Sequence, residues 1–291
     1  MRKHTLPPVV TTLLAGLFFM LPGISHALLV NYLDPAYSSS FLLNPGFDSR
    51  AIEVDSSLNL YLEDRADDGS GTVNILRLDA ASNYSTSSIY ASYATDQNFV
   101  NGLRFDGNGN LYISEAAADR NSGVIRRLDT TSRTVTDSIL LPDFRPVGIH
   151  ATAAGDLYFP GRLDSDPAFG NVFRIDALGN LDIVVPGLAG TGIALDAAGN
   201  YYVTTRGSDQ TGFLGRSLYR IDPSSLDAVL LATFDESPQE LSIDGSGNIY
   251  VMGRSTSDIL RLTAVPLPPA LILLASGLAL IGTGFRRGKT Q

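Results

Sequence analysis

Five arginines are the residues of this sequence whose spacing most suggests shared chemistry. Arg65, Arg162, Arg206 and Arg254 each stand four residues after a recurring tyrosine (Tyr61, Tyr158, Tyr202, Tyr250), and Arg120 stands eight after Tyr112. A guanidinium is permanently charged and presents its N–H donors as a fixed fork. Several of them converging on one surface would grip carboxylate or sulfate groups through paired hydrogen bonds. The opposing reading pairs each arginine with a nearby acid, Asp67, Asp119, Asp164, Asp209 or Asp258, on a solvated surface where such pairs contribute little. Other chemistry is poorly supplied. Beyond residue 27 the only histidine is His150, which excludes a His-based catalytic pair and a multi-His metal centre. There is no Gly-x-Ser-x-Gly elbow and no glycine-rich nucleotide loop. Asp106-x-Asn108-x-Asn110 offers oxygens at alternate positions, as a calcium loop begins, but lacks the glycine at its sixth position and the glutamate at its twelfth. No cofactor is implied. Calcium bound by loop carboxylates or in a central channel stays open, with no ligand set to name.

The arginines take their places from a repeat. Ala51-Ile-Glu-Val-Asp55-Ser-Ser-Leu-Asn59-Leu-Tyr61 aligns with segments that end at Tyr112, Tyr158, Tyr202 and Tyr250, spaced 51, 46, 44 and 48 residues apart. Each is a short strand, an Asp-x-x-Gly-Asn turn and a second, alternating strand. Gly and Asn stand where a tight hairpin needs positive φ. A third strand recurs as Leu76-Arg-Leu-Asp79, Arg127-Leu-Asp129, Phe173-Arg-Ile-Asp176, Tyr219-Arg-Ile-Asp222 and Leu260-Arg-Leu-Thr263, and a more variable fourth follows. Four antiparallel strands per unit of this length predict an all-β chain, a β-propeller of five four-stranded blades with a degenerate sixth left open. The turn motif explains Asp106 to Asn110 as a hairpin, and the fixed tyrosines as packing between blades. Loops between second and third strands, 63–72, 115–123, 160–170, 205–216 and 253–258, should gather on one face around the channel, carrying the arginines. Leu29 to Asp34 and Ser38 to Leu43 read as third and fourth strands of a blade that completes the last unit, since that unit ends after its own third strand.

The motif Gly-(apolar)-x-x-Asp-x-x-Gly-Asn-(apolar)-Tyr resembles NHL-type repeats and related six-bladed propellers over most of residues 50–263. Such repeats keep an Asp shortly after the Tyr-Val pair, where this chain has Asp64, Glu115, Gly161, Thr205 and Gly253.

The two ends carry addresses. Arg2 and Lys3, an apolar core from Val9 to Leu21, and the small-x-small site Ser25-His26-Ala27 form a secretory signal peptide over residues 1–27, so the mature chain should begin near Leu28. At the other end, Val265, Pro266, Leu267 and Pro268 lead into an apolar run containing Gly277 and closed by Arg286 and Arg287. From Leu267 to Phe285 is 19 residues, about 28 Å as a helix, enough to cross a bilayer core. This tail, residues 264–291, resembles the PEP-CTERM sorting signal, with Leu267 where the commonest form has Glu. The resemblance implies export in a Gram-negative bacterium, transient anchoring in the inner membrane with the basic end cytoplasmic, handling by signal peptidase and exosortase, and delivery to the envelope or to exopolysaccharide. A plain anchor that is never cut is the alternative.

Between the ends, residues 28–263 hold all 30 acids and 16 arginines with no lysine, a net of −14. So acidic a body repels nucleic acid and anionic lipid. The chain has no cysteine, so this exported domain of 236 residues must be held by its core or by metal ions. The expectation is a binding or scaffold module whose loop face contacts anionic polysaccharide or another surface protein. The competing expectation is a metal-dependent hydrolase of sugar-lactone type with its site in the channel.

Overall fold

Alternating apolar strands separated by Asp-Gly-Asn turns form five antiparallel sheets in a computed structural model, which describes residues 28–65, 71–97, 99–118, 121–163, 166–206 and 213–265. The expected signal peptide, residues 1–27, and all but the first two residues of the expected sorting signal, 264–291, lie outside the described residues. Among the described residues no helix is long and apolar enough to cross a membrane.

After β1 (Val30–Leu33) and β2 (Tyr37–Leu43), blade one contains β3 (Ile52–Val54), β4 (Leu60–Arg65), β5 (Thr72–Leu78) and β6 (Ser87–Ala94). Blade two contains β7 (Phe99–Phe105), β8 (Asn110–Ala116), β9 (Gly123–Asp129) and β10 (Thr134–Leu141). In blade three the inner strand is split into β11 (Phe144–Pro146) and β12 (His150–Ala151), followed by β13 (Leu157–Leu163), β14 (Asp166–Ile175) and β15 (Leu181–Val185). Blade four has β16 (Gly190–Leu195), β17 (Tyr201–Thr205), β18 (Ser217–Ile221) and β19 (Ala228–Phe234). Blade five has β20 (Pro238–Ile243), β21 (Ile249–Gly253) and β22 (Ile259–Ala264), and takes β2 as its outer strand.

The last blade is therefore closed by an N-terminal strand, which removes the free edge that β22 would present. The other half of that expectation needs correction. β1 is not a third strand. It pairs antiparallel with β19 as a fifth strand on the outside of blade four, so the N-terminal segment staples two blades together.

The core lies between blades. Five clusters of buried apolar side chains sit at the interfaces of blades one with two, two with three, three with four, four with five, and five with one. Burial on this scale stabilises by about 1.5–3 kcal/mol for each large side chain removed from water. The repeat tyrosines point into these interfaces. Tyr61 packs its edge against Tyr90 and against Phe105 of the next blade, and Tyr250 is fully buried against Ile52 and Leu62 of blade one.

The turn motif has a local cause as well. Asp244 Oδ1 accepts from the Ser246 and Asn248 backbone N–H groups (2.8 and 2.9 Å), and its Oδ2 accepts from Asn248 Nδ2 (2.7 Å) and the Tyr250 hydroxyl (3.1 Å). Gly247 takes the positive φ of +80° that the turn demands. Asp55 and Asp196 make the same four contacts. Blade three departs: Thr152 stands in the Asp place, and Asp156, in the Asn place, pairs with Arg174 at 2.9 Å. Asp106 to Asn110 is one of these hairpins, as expected, with Asn110 Nδ2 donating to Asp106 Oδ2 at 2.6 Å.

Candidate functional site

Inner strands alternate between residues that enter the blade interfaces and residues that face the axis. At the first of these aligned positions stand Ala51, Gly102, Gly148, Gly192 and Glu240, and two residues later Glu53, Arg104, His150, Ala194 and Ser242, of which Ala51 and Ala194 pack into the cores between blades. The strands bend just there. Register shifts fall between Val100 and Gly102, Gly190 and Gly192, and Pro238 and Leu241. Side chains at two of the bends reach to the next blade: Asn101 Nδ2 donates to the Pro146 carbonyl (3.2 Å) and Thr191 Oγ1 to the Pro238 carbonyl (2.9 Å).

Glu240 fills the space left by the small residues. Its Oε1 accepts from the N–H groups of Leu241 (2.9 Å) and Ile193 (3.3 Å). A Cβ added at Gly102 or Gly148 would come within 2.7 or 2.8 Å of Oε2, and one at Gly192 within 2.7 Å of Oε1. The carboxyl is therefore wedged among blades two, three and four, with no exposure to solvent. Among the described residues no hydrogen-bond partner reaches Oε2. Burial raises this carboxyl well above the usual carboxylate range, the neighbouring Glu53 adds to the rise, and the two N–H donors and Arg104 oppose it.

The next layer is a linked polar group. Arg104 Nη1 meets Glu53 Oε2 at 3.1 Å, the Ser242 hydroxyl donates to the same oxygen at 2.7 Å, and the Phe105 N–H donates to Oε1 at 3.1 Å. Blades one, two and five are thereby tied at the axis. Burial pushes the Glu53 carboxyl up, and the Arg104 guanidinium pulls it back. His150 lies beside this layer with Nδ1 accepting the Leu195 N–H at 3.3 Å; burial, and secondarily Arg104, hold its imidazole well below its ordinary pKa. It is a neutral structural acceptor. Below Arg104 the channel opens at the hairpin face into a depression of 640 Å³ lined by Leu195, Asp196, Ile243 and Asp244.

On the loop face, Glu63 Oε2 accepts from the Ser49 hydroxyl (2.9 Å) and from the Arg50 and Ala51 N–H groups (2.6 and 2.7 Å). Burial nevertheless pushes Glu63 up to about 8. The expected arginine ring is distributed unevenly. Arg206 and Arg254 are half-buried on the loop side of neighbouring blades four and five, just past β17 and β21. Both have interaction partners, and neither is a free cation. Arg65 is the last residue of β4, in register with Val73, and Arg162 lies inside β13, in register with Gly170. Their side chains, and all of Arg120, lie outside the described residues. The loop expected over 160–170 is mostly strand, because β13 and β14 continue past Gly161 to Leu163 and back from Asp166. Of the acids named as arginine partners, Asp258 is described, and it is buried in the fold with bonds to the Leu28 N–H and to Asn44.

Sequence reasoning passed over Glu240, Glu53 and Arg104. The signal was present in the aligned repeats: one glutamate in a column of small residues, and polar residues two places on in strands that are otherwise apolar.

A family model described as SBBP, a beta-propeller repeat, matches residues 236–261, most of blade five. No curated protein matches the chain. Among solved structures, a structural genomics protein of unknown function from Bacteroides thetaiotaomicron VPI-5482 is similar at 15% identity and a TM-score of 0.52, over 76% of this chain and 60% of its own. The holo form of the pyranose dehydrogenase PQQ domain from Coprinopsis cinerea is similar at 11% identity and 0.50, over 80% of this chain and 96% of its own. Regucalcin, a calcium-binding protein from Agrobacterium tumefaciens, is similar at 13% and 0.45, over 75% and 71%. At such identities the likeness concerns the fold alone, and the chain is an all-β protein with a β-propeller repeat domain of five blades.

Proposed function

We propose that this chain is an exported β-propeller serving as a binding or scaffold module of the cell envelope, and that its loop face takes anionic exopolysaccharide. Signal peptidase removes residues 1–27, and exosortase reads residues 264–291. One observation carries the choice of surface over channel: Glu240 fills the axis against Gly102, Gly148 and Gly192, so a ligand approaching the loop face meets loops rather than an open shaft. A hydrolase of sugar-lactone type with its metal in the channel would need three or four side-chain oxygens converging on one point. The axial carboxyls Glu53 and Glu240 are instead engaged by Arg104, Ser242 and backbone N–H groups. The loop arginines supply the chemistry for acidic sugars, Arg206 and Arg254 on adjacent blades exchanging their present partners for the acidic groups of the sugar.

Two experiments test this reading. Mass spectrometry of the exported protein should find residues 1–27 absent and the C-terminal helix lost; an intact C-terminus overturns the exosortase step. Co-sedimentation should show retention on dextran sulfate or alginate, little on neutral dextran, and release by salt. Arg206→Ala with Arg254→Ala should weaken retention about tenfold for each lost charged contact. Equal retention of the doubly substituted and the unaltered chain overturns the loop-face assignment.

A further inference from the structure

Asp258 is a charged side chain in a place that would normally demand a cation. It is 1% exposed, and its bonds are to the Asn44 Nδ2 (2.6 Å, at Oδ1) and to the backbone nitrogen of Leu28 (3.0 Å, at Oδ2). Among the described residues no arginine is paired with it, and residues 28–263 hold no lysine. Buried carboxylates are expensive unless a positive group and hydrogen bonds accompany them. The group that touches this one is the nitrogen of the residue that directly follows the Ser25-His26-Ala27 cleavage site.

We propose that Asp258 is a binding site for an α-ammonium group, the one that cleavage between Ala27 and Leu28 creates. The inference rests on the signal-peptide reading above. Hydrolysis of the 27–28 peptide bond adds water, leaving a carboxylate on Ala27 and an amine on Leu28 that takes up a proton. In the precursor, Leu28 offers Asp258 one neutral N–H. In the processed chain it offers a full positive charge at the same atom, and the contact becomes a buried ion pair with the geometry already in place. Neighbouring contacts hold the amine there. The Leu28 side chain is 1% exposed in the core between blades four and five, and the Leu29 N–H donates to Asp235 Oδ1 at 2.8 Å while the Asp235 N–H donates back to the Leu29 carbonyl at 3.1 Å. Asp258 belongs to the loop between β21 and β22 of blade five, and Leu28 leads into β1 on blade four. The ion pair therefore locks the seam where the ring closes, and does so only after export.

The chain from Leu28 to Gln291, kept in detergent for its apolar end, has two primary amines, the α-amine and Lys289. Labelling with an amine-reactive ester, read by mass spectrometry, should modify Lys289 freely and the Leu28 amine at least tenfold more slowly than in urea. Asp258→Asn should raise the Leu28 rate toward the unfolded one. Labelling of Leu28 at the unfolded rate in the native chain overturns the proposal. A second comparison uses a chain with one glycine before Leu28, which moves the charge away and keeps the N–H. Asp258→Asn should lower the melting temperature by several degrees more in the Leu28-initiated chain than in the extended one; equal losses overturn the ion pair. N-terminal sequencing of the exported protein reports the other premise separately, since any first residue other than Leu28 overturns the processing step while the two comparisons above still judge the pair.

Discussion

On the hairpin face, Asp55, Asp196 and Asp244 each use both carboxyl oxygens within their own turn, taking two backbone N–H groups, an asparagine and a tyrosine. At the axis Glu53 and Glu240 are buried and each joins another blade far off in the sequence, while Glu63, buried just inside the loop face, reaches back to Ser49, Arg50 and Ala51 beside its own inner strand. The same functional group thus does two jobs. A turn aspartate meets its donors within six residues. An axial glutamate brings inner strands together, but at a position where ionisation is opposed by desolvation. The hairpin face is therefore locally determined and repeated, whereas the axis is long-range and made only once.

The sharpest way to break the axis is to intrude on Glu240. Gly148 has φ +116°, and a Cβ there would lie 2.8 Å from Glu240 Oε2, 2.8 Å from the Thr191 carbonyl oxygen and 2.9 Å from Gly192 Cα. Gly148→Val should cost about 3–5 kcal/mol through backbone strain and overpacking, read as a drop in the urea midpoint. Glu240→Ala in the same chain should return part of that loss, because it removes one of the three neighbours. Strict additivity of the two changes would contradict the wedge.

A second test separates the two sets of acids by pH. The raised carboxyls keep their protons in the folded chain at pH values where the unfolded chain has lost them. Over that window the unfolded state binds fewer protons, so stability falls as pH rises. For Glu63 the window runs from its ordinary 4.5 to about 8. Stability should decline across it by on the order of 5 kcal/mol, and Glu63→Gln should flatten the slope. Unfolding midpoints at pH 5 and pH 8 decide the matter, and a chain that gains stability toward pH 8 would contradict the buried, protonated state.

The contrast also explains what could be read in advance. The Asp-x-x-Gly-Asn turns, the inward tyrosines and the four-strand unit are short-range, and each repeat announces them again. The blade count is not local; it depends on how β2 meets β22, a pairing more than 200 residues apart in sequence. Nor could a four-residue strand such as β1 reveal by its pattern which sheet edge it joins. Pro160 and Gly161 looked like the start of a loop, yet they lie in β13, a strand with neighbours on both sides. The proline is tolerated because the inner strand is interrupted opposite it, between Pro146 and His150, where the Val147 N–H donates to its carbonyl at 2.8 Å. Among the arginines, spacing from the tyrosine gave position along the strand but not whether the strand had ended, which is why Arg162 lies in a ladder and Arg254 beyond one.

The smallest effect belongs to the hairpin face and compares two of its members. Tyr250→Phe removes a buried hydroxyl that donates to Asp244 Oδ2 at 3.1 Å, leaving Asn248 as that oxygen's donor. The ring still fills the interface between blades five and one, so the loss should be one hydrogen bond to a charged acceptor, about 1–2 kcal/mol. In blade three, Thr152 stands where the carboxylate would be, and Tyr158→Phe should cost less than about 0.5 kcal/mol. Equal costs, measured by thermal or urea unfolding, would mean that tyrosine packing alone sustains the motif and that the aspartate serves only its turn. Restoring the difference by Thr152→Asp in the Tyr158 background would show that the carboxylate gives the hydroxyl its value, and that the motif is a single hydrogen-bonded unit from its first residue to its last.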